Sequence, residues 1–163
     1  MSAAYFDITQ QNRISDGVTP GGVEQLGAVV DGWELQVNKR WQQFETQLAY
    51  TNLNATNDST GTRLPYVAEE QASWWNRLYV GSHWRIGAGV RYVGDNVGSG
   101  GAPVVPSSTL YDAMVGYTMG EWDFSVDLKN ATDEEYVSWC RYDGGDCGYG
   151  DRRSVTANVR YQF

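Results

Sequence analysis

Apolar and polar residues alternate along most of this 163-residue chain, in eight separate segments. A period of two places successive side chains on opposite faces of a β-strand, whereas a helix repeats its apolar positions every three to four residues. The closing run shows the pattern most clearly, since Val155, Ala157, Val159, Tyr161 and Phe163 are apolar and the residues between them are polar. The predicted strands cover residues 3–12, 31–40, 43–51, 71–80, 84–93, 110–118, 122–129 and 154–163, with 23–30 as a less regular lead-in to the second strand and Gly32 as a candidate bulge.

The connections between these segments alternate between short and long. Those after the second, fourth and sixth segments are tight, around NKRWQ, GSH and MGE, whereas those after the first, third, fifth and seventh are long and rich in Gly, Ser, Asn and Asp. An even number of strands joined in this way predicts an up-and-down antiparallel sheet. Both chain ends then lie on the side of the tight turns.

Each predicted strand has one largely apolar face and one polar face. The first segment, for example, places Ala4, Phe6 and Ile8 on one face, opposite Tyr5 and Asp7. The apolar faces are nearly free of charge in the middle of every strand, and the opposite faces carry charges of both signs. These charged residues are Glu34, Glu45, Arg77, Arg85, Arg91, Asp112, Asp127 and Arg160.

Aromatic residues recur near the tight turns, in phase with the apolar face. Trp84, Trp122, Tyr161 and Phe163 follow this rule, whereas Trp41 is out of phase and is assigned to its turn. Amphipathic rings are most stable at the depth of lipid headgroups, so this pattern predicts an interfacial girdle around a membrane barrel. The fold class is therefore predicted as all-β: an antiparallel up-and-down transmembrane β-barrel of eight strands, with short periplasmic turns and long extracellular loops, in one domain over residues 1–163. The alternative is a soluble lipocalin-like barrel with its apolar face inside.

A closed barrel satisfies the backbone groups of every strand within hydrocarbon, and eight strands can close around a lumen that side chains fill. Arg and Asp or Glu side chains would then pair inside, because an unpaired charge in a narrow interior is costly. A selective open pore is not expected.

Composition narrows the functions further. The net charge is −8, which disfavours a nucleic-acid partner because phosphate binding needs clustered Lys and Arg. Apolar runs fall short of the ~20 residues that a membrane-spanning helix needs. The opening MSAAYFDITQ lacks the basic start and apolar stretch of a secretory signal.

Few residues suggest reaction chemistry or metal binding. Cys140 and Cys147, with the lone His83, make a poor metal site, and a short-loop disulfide is the preferred interpretation over free thiols. His83 has no evident nucleophile partner, so an enzyme is not expected, and neither a cofactor nor a metal is predicted. The glycine-rich stretch GDNVGSGG follows a strand without opening a helix and is interpreted as a loop. The acidic residues Asp143, Asp146 and Asp151 are interpreted as solvated rather than as cation ligands.

Several stretches resemble the carboxy-terminal third of a TonB-dependent siderophore receptor of the ferrichrome and hydroxamate type. In chain order they are VDGWELQVNKRW, AYTNLNAT, VRYVGD, LYDAMVGY, DLKNATDEEYVSWC and CGYGDRRSVTANVRYQF. Gly150, Arg153 and the alternation into Phe163 follow the family's carboxy-terminal pattern, whereas Ala131 and Arg152 depart from it.

The resemblance implies a bacterial outer-membrane location and a parent role in binding and uptake of ferric siderophores. It also implies that Tyr161 and Phe163 form the signal that the barrel-assembly machinery recognises, and that the lipid bilayer is a partner. The family's plug domain and TonB box are not found in the sequence, so active transport by this chain alone is not expected. Aromatic residues near the long loops are candidates for a ligand rim: Tyr66, Trp75, Trp139, Tyr142 and Tyr149.

A hypothesis of another class also stands at this point. The chain could be a small structural or adhesive outer-membrane protein that uses its long loops for contact. Titration with ferric hydroxamates separates this hypothesis from the siderophore receptor, and folding without detergent identifies the soluble barrel.

Overall fold

The computed structural model describes residues 1–16, 23–142 and 145–163 and contains ten strands. In chain order they are β1 (Ser2–Asp16), β2 (Val23–Arg40), β3 (Phe44–Asn57), β4 (Glu70–Val80), β5 (Trp84–Val93), β6 (Ser108–Met119), β7 (Trp122–Lys129), β8 (Val137–Arg141), β9 (Asp146–Tyr149) and β10 (Ser154–Tyr161). All eight predicted strands are present. The lead-in at 23–30 is part of β2, and β8 and β9 arise in a connection that was predicted to be a loop.

Eight of the strands form one antiparallel sheet in the order β1-β2-β3-β4-β5-β6-β7-β10, and β8 pairs with β9 in a separate hairpin. The up-and-down prediction is thus confirmed. Tight turns follow β2, β4 and β6, and both chain ends lie beside them, since Ser2 pairs with Gln36 and Tyr161 pairs with Trp122. Gly32 lies in an unbroken ladder, and the register shift of this region is in β1, between Gln10 and Arg13.

The predicted closure into an eight-stranded barrel is not confirmed. Within the described residues β1 pairs only with β2 and β10 only with β7, so both strands lie at sheet edges. An eight-stranded barrel has an interior that side chains alone fill. Here the connection 58–69 also packs on one face, with Leu64 against Ala28 and Ala55, and that interior would be too narrow for it.

The register of the ladders defines the two faces of the sheet, because directly paired residues of antiparallel strands lie on the same face. The apolar face carries, among others, Trp33, Leu48, Trp74, Val90, Val115, Val126 and Val159. The polar face carries the predicted charged residues, including Glu45, Arg85, Arg91, Asp112 and Asp127.

The side chains of the apolar face are not packed into a core. Ile86, Val126 and Val159 are 50%, 42% and 62% exposed, although each lies inside a strand. The small buried cluster of Ala28, Ala55 and Leu64 is on the other face. This arrangement fits an apolar surface turned toward lipid and counts against the soluble barrel with its apolar face inside. The described residues include no helix that is long and apolar enough to cross a membrane.

In β1 the faces differ from the sequence-based grouping. Tyr5 pairs with Trp33, with ring centroids 5.0 Å apart, and so lies on the apolar face. Phe6 and Ile8 pair with Gly32 and Val30, which belong to the polar face. That face becomes apolar near the long connections, where Val30 packs against the cluster around Leu64, so apolar residues occupy both sides of β1.

Candidate functional site

Ion pairs join side chains of different strands on the polar face, below the long connections. This part of the sheet is here called the wall. The Arg85 guanidinium on β5 donates to both carboxylate oxygens of Asp123 on β7, at 2.6 and 2.9 Å, and to Thr118 Oγ1 on β6 at 2.6 Å. Gly116 makes this reach across β6 feasible, because a Cβ there would lie 2.7 Å from an Arg85 nitrogen. Arg91 pairs with Asp112, and Arg77 with Glu45. The predicted pairing of charges on this face is therefore confirmed for these three pairs.

Trp75 belongs to this wall and is not near the other predicted rim residues. Its indole lies over Gly87 and Gly89 of the neighbouring strand, where a Cβ on either glycine would overlap the ring. Two glycines on the same face of one strand thus leave the space that the indole ring fills. This packing gives Trp75 a structural role in the wall.

The long connection after β3, here called the first connection of this end, folds over the polar face; those after β5 and β7 are called the second and the third. The segment 58–69 is held to β3 by hydrogen bonds from Leu64 N to Ala55 O, from Asn57 N to Thr62 O and from Leu53 N to Glu69 O, each 2.8 Å long. Its side chains Leu64 and Val67 pack on the small apolar patch of that face. The connection is therefore an ordered cover and not an extended polar arm.

The second connection, 94–107, is tied to the first. Asn96 and Val105 pair as an isolated bridge, and Val105 is 1% exposed. Arg63 of the first connection donates to Asp95 Oδ2 at 3.0 Å, and Tyr66 N donates to Val97 O at 2.9 Å.

The third connection carries the β8–β9 hairpin, in which Cys140 and Cys147 are paired and joined by a disulfide. This confirms the predicted disulfide. The hairpin meets the second connection at Ser99, whose N–H donates to Cys140 O at 3.2 Å and whose carbonyl accepts from Tyr142 N at 2.8 Å. The three connections together form a continuous layer, here called the loop layer: residues 58–69, 94–107 and 130–142 with 145–153.

The structure brings together some of the predicted rim residues. The Tyr66 hydroxyl lies 2.5 Å from Ser99 Oγ, and Tyr142 bonds to the same serine through its backbone. Trp139 is linked to them through Arg141, whose guanidinium carbon lies 5.7 Å from the Trp139 ring and 5.8 Å from the Tyr142 ring. Tyr149 is 68% exposed at the far end of the hairpin. Residues 143 and 144, and with them the predicted solvated residue Asp143, lie outside the described residues.

Sequence reasoning missed two members of this cluster. Ser99 lay inside a glycine-rich stretch interpreted only as a loop, and Arg141 was not singled out although it stands between two aromatic residues in the sequence WCRY. Its charge is balanced by Asp146, whose Oδ2 lies 2.5 Å from Arg141 Nε. The cluster thus offers aromatic faces, hydroxyls and one guanidinium to a ligand.

The base of the third connection is anchored by Asn130, which is 2% exposed. Its side-chain amide donates to Glu134 O at 2.8 Å and to Asp151 O at 3.1 Å, and its Oδ1 accepts from Glu134 N at 2.8 Å. Asn130 has φ 49°, a left-handed conformation that Asn tolerates better than most residues. The stretch KNATDEEYV, which is part of the family resemblance, therefore holds the loop layer onto the end of β7.

Asp133 forms an ion pair with Arg152 beside Asn130. The Arg152 guanidinium donates to both of its carboxylate oxygens, and the Arg153 backbone N–H donates to one of them. These hydrogen bonds hold the pKa of Asp133 well below its ordinary value. Arg152, a departure from the expected pattern, also reaches Glu135 at 2.7 Å.

Aromatic side chains cluster at the opposite end of the sheet, beside the tight turns. Ring centroids lie 4.7 Å apart for Trp84 and Tyr117, 4.8 Å for Trp122 and Tyr161, and 5.2 Å for Tyr161 and Phe163. Trp41 lies in its turn, where its N–H donates to Phe44 O and its ring is 5.6 Å from that of Phe44.

A second set of exposed aromatic residues on the apolar face lies nearer the long connections and was not predicted as a band. Its members include Tyr5, Trp33, Tyr50 and Tyr111. On β5, Trp84 and Tyr92 mark the two ends, and eight residues of strand span about 26 Å. For the usual strand tilt this gives about 20 Å of depth, comparable with the apolar band of outer-membrane barrels.

Within the ranges that the structure describes, His, Cys, Asp and Glu side chains do not form a group of three or more suited to a metal ion. The ordered chemistry of the polar face and loop layer consists of ion pairs, hydroxyls and aromatic rings. Such groups suit binding of a ligand.

Comparison with known proteins gives a consistent result. A family model described as TonB dependent receptor-like, beta-barrel, matches residues 1–131. The chain is 29% identical over 178 aligned residues to a ferrioxamine receptor of Yersinia enterocolitica, covering 99% of the chain and 25% of that receptor. It is 28% identical to the catecholate siderophore receptor Fiu of Escherichia coli K12, covering 99% of the chain and 23% of Fiu. The crystal structure of Fiu in its closed form superposes with a TM-score of 0.79 at 24% identity, over 99% of the chain and 25% of Fiu. The chain thus spans about a quarter of the length of these relatives.

Proposed function

Because this chain belongs to the TonB-dependent receptor β-barrel family of the bacterial outer membrane, we propose that it forms a wall segment of a ferric-siderophore receptor, with the loop layer as part of the ligand-binding end. The observation that carries the proposal is that the two ends of the sheet differ. Tight turns and one aromatic cluster occupy one end, and the long connections meet over the polar face at the other.

The free edges of β1 and β10 support a barrel wider than eight strands. Within hydrocarbon an unpaired strand edge leaves N–H and C=O groups without partners, at a cost of several kcal/mol each. These two strands are therefore proposed to pair with further strands of a receptor barrel instead of with each other. The wall and loops are the contribution of this chain, and energised uptake depends on a plug domain and a TonB box.

The candidate rim for the ligand is the cluster around Arg141, with Tyr66, Trp139 and Tyr142. Aromatic faces bind the apolar parts of a ligand, and a guanidinium and hydroxyls orient its oxygen atoms. Tyr149, which pairs with Val137 at the base of the same hairpin, is proposed as an outlying contact. Trp75 is not part of this rim because its ring packs over Gly87 and Gly89 within the sheet.

Charge favours a ferric hydroxamate over a ferric catecholate. The connections after β3, β5 and β7, taken as residues 58–69, 94–107 and 130–153, contain four arginines and nine carboxylates, a net formal charge of −5. Three hydroxamates around ferric iron give a neutral complex, whereas three catecholates give a trianion. A strongly negative surface raises the local potential energy of a trianion and slows its approach, but affects a neutral complex little. Because named relatives include receptors of both kinds, the choice between them is part of the test.

Two further roles are proposed for the apolar face and its final strand. Trp84 and Trp122 lie where an interfacial girdle contacts the headgroups of the lipid bilayer. The Tyr161 ring lies against the Trp122 ring in a tilted arrangement, and Phe163 is fully exposed. This leaves Phe163 accessible to the barrel-assembly machinery, for which Tyr161 and Phe163 are the proposed signal.

A two-stage experiment tests the function. The chain is first refolded into vesicles, and heat-modifiable migration and protease protection are measured. It then replaces its aligned segment in the Yersinia ferrioxamine receptor, and uptake and binding of ferric hydroxamate and ferric catecholate complexes are compared at equal surface levels.

We expect membrane-dependent folding and binding of the hydroxamate complex. Weak or no binding is expected from the chain alone. Folding without detergent or lipid would overturn the membrane role. A well-folded chimera that binds neither complex would overturn the receptor role in favour of a structural or adhesive protein, and one that prefers the catecholate would overturn the hydroxamate assignment.

A further inference from the structure

Ser99 contacts both of the other connections of the loop layer. Its N–H donates to Cys140 O, its carbonyl accepts from Tyr142 N, and its hydroxyl bonds to the Tyr66 hydroxyl. It is 6% exposed, so water does not readily substitute for these partners. Removal of a buried partner leaves polar groups unsatisfied and is costly.

The flanking glycines are explained by this junction. A Cβ on Gly98 would lie 2.5 Å from Cys140 O, and a Cβ on Gly100, which has φ 63°, would lie 2.7 Å from Tyr142 Cδ1. The backbone of the second connection thus approaches the β8–β9 hairpin more closely than side chains allow. The glycine-rich stretch serves a contact between loops.

The hairpin side of the junction is cross-linked by a disulfide and an ion pair. Ser99 and Arg141 pair as a parallel bridge. The residue before Arg141 is covalently joined to Cys147, and Arg141 itself pairs with Asp146 across the hairpin. A displacement of β8 is therefore transmitted to Ser99, and through the serine hydroxyl to Tyr66.

We propose that Ser99 is a positioning residue that couples the three connections, so that ordering of one by a ligand orders the other two. Tyr66, Arg141 and Tyr142 keep a fixed arrangement because each lies on or next to a hydrogen bond to this serine. The coupling stands on geometry alone. Its use in binding rests on the proposed siderophore function.

Hydrogen exchange on the folded chain in detergent micelles tests the coupling. Ser99→Ala removes the hydroxyl but keeps both backbone bonds, and exchange at the Tyr66 and Tyr142 amides is expected to accelerate about five- to tenfold. Tyr66→Phe should accelerate them equally, and the double variant should add little, because both changes remove the same bond. Ser107→Ala, at an exposed serine of the same connection, is the matched control and should leave these rates unchanged.

Reduction gives an independent measurement. A dithiol transfers two electrons and two protons to the Cys140–Cys147 bond, yielding two thiols and the cyclic disulfide of the reagent. We expect faster exchange at Ser99 and Tyr66 as well as within the hairpin. If Ser99→Ala and reduction each alter only their own connection, the coupling is wrong.

Ligand titration separates this inference from the proposed function. In the receptor chimera, Ser99→Ala should raise the Kd for the ferric hydroxamate complex about tenfold, as expected for a loosened rim, and Ser107→Ala should not. Coupled exchange without any binding would leave the junction intact and refute the receptor role. Binding that is unchanged by Ser99→Ala would refute the positioning role.

Discussion

Asp133 and Arg152 form a two-point ion pair: Arg152 Nη2 lies 2.8 Å from Asp133 Oδ2, and Nε lies 3.1 Å from Oδ1. The pair closes the third connection of the loop layer at its base, where the chain leaves β7 and returns to β10. With the Arg153 N–H it keeps the carboxyl ionised, as its lowered pKa indicates.

The first prediction concerns how the contribution of the Asp133–Arg152 ion pair to stability depends on pH. Because the folded-state pKa of Asp133 is below its ordinary value near 3.8, the contribution of the pair to stability is complete above that value and is lost as the pH falls through the lower folded-state pKa. The Arg153 amide chemical shift should therefore stay constant from neutral pH down to about 4 and move only below it. Asp133→Asn should abolish the titration and Glu134→Gln should not. A midpoint at or above the ordinary value would contradict the ion pair.

The second prediction concerns Asn130. Asn130→Ala removes the three hydrogen bonds that the buried Asn130 side chain makes to the backbone of Glu134 and Asp151, and it places alanine at a positive φ. Together these changes should cost about 2–4 kcal/mol of unfolding free energy. Urea unfolding in micelles measures this cost. Asn130→Gly relieves the backbone strain but not the lost hydrogen bonds, so it should fall between alanine and wild type. Equal stability of all three proteins would show that the anchor contributes nothing.

The third prediction tests which face of the sheet meets lipid. Val126 and Ser125 are neighbours on β7 and lie on opposite faces, so they form a matched pair. Val126→Arg should cost about 2–4 kcal/mol of folding free energy in vesicles, as expected for a cation near the bilayer midplane. Ser125→Arg, near Asp127 on the polar face, should cost much less. The folded fraction on gels that show heat-modifiable migration measures both costs. A larger cost for Ser125→Arg than for Val126→Arg would show that the polar face, and not the apolar face, meets lipid.

The fourth prediction concerns the packing of Trp75 on Gly87 and Gly89. Gly87→Ala places a methyl group where the indole lies and should destabilise the chain by about 1–3 kcal/mol. Trp75→Leu in the same chain should recover most of that loss, because the three atoms nearest to the added carbon belong to Trp75. Gly89→Ala should be recovered less well, since its Cβ would also approach the Trp74 carbonyl. These unfolding energies come from the same urea experiment, and failure of the leucine rescue would refute the packing role.

Much of the sheet could be predicted from the sequence because strand alternation and turn chemistry are local. Trp84, Val126 and Val159 lie on the face that the period of two assigns to them, and the turns at GSH and MGE are where the breaks in that period place them. The disulfide was also predictable, because a separation of 7 residues is easily bridged by a hairpin.

The candidate site could be predicted only in part. Tyr66, Trp139 and Tyr142 were recognised as aromatic residues in long connections, but their convergence depends on contacts between segments far apart in the chain. Ser99 carries no local signal, because a serine among glycines is typical of any mobile loop. Its role comes from the close approach of β8, which alternation does not reveal.

The sequence by itself determined the eight strands of the main sheet, the apolar and polar sides of those other than β1, and the resemblance to the receptor family, because each is encoded by neighbouring residues. Only the tertiary structure decided the phase of β1, the open edges of the sheet and the junction of the loop layer. These depend on register and on packing between distant segments: Phe6 and Ile8 belong to the polar face because β1 pairs with β2 in a register that brings them beside Gly32 and Val30. A one-residue change in that pairing would exchange the faces of β1 without changing its alternation.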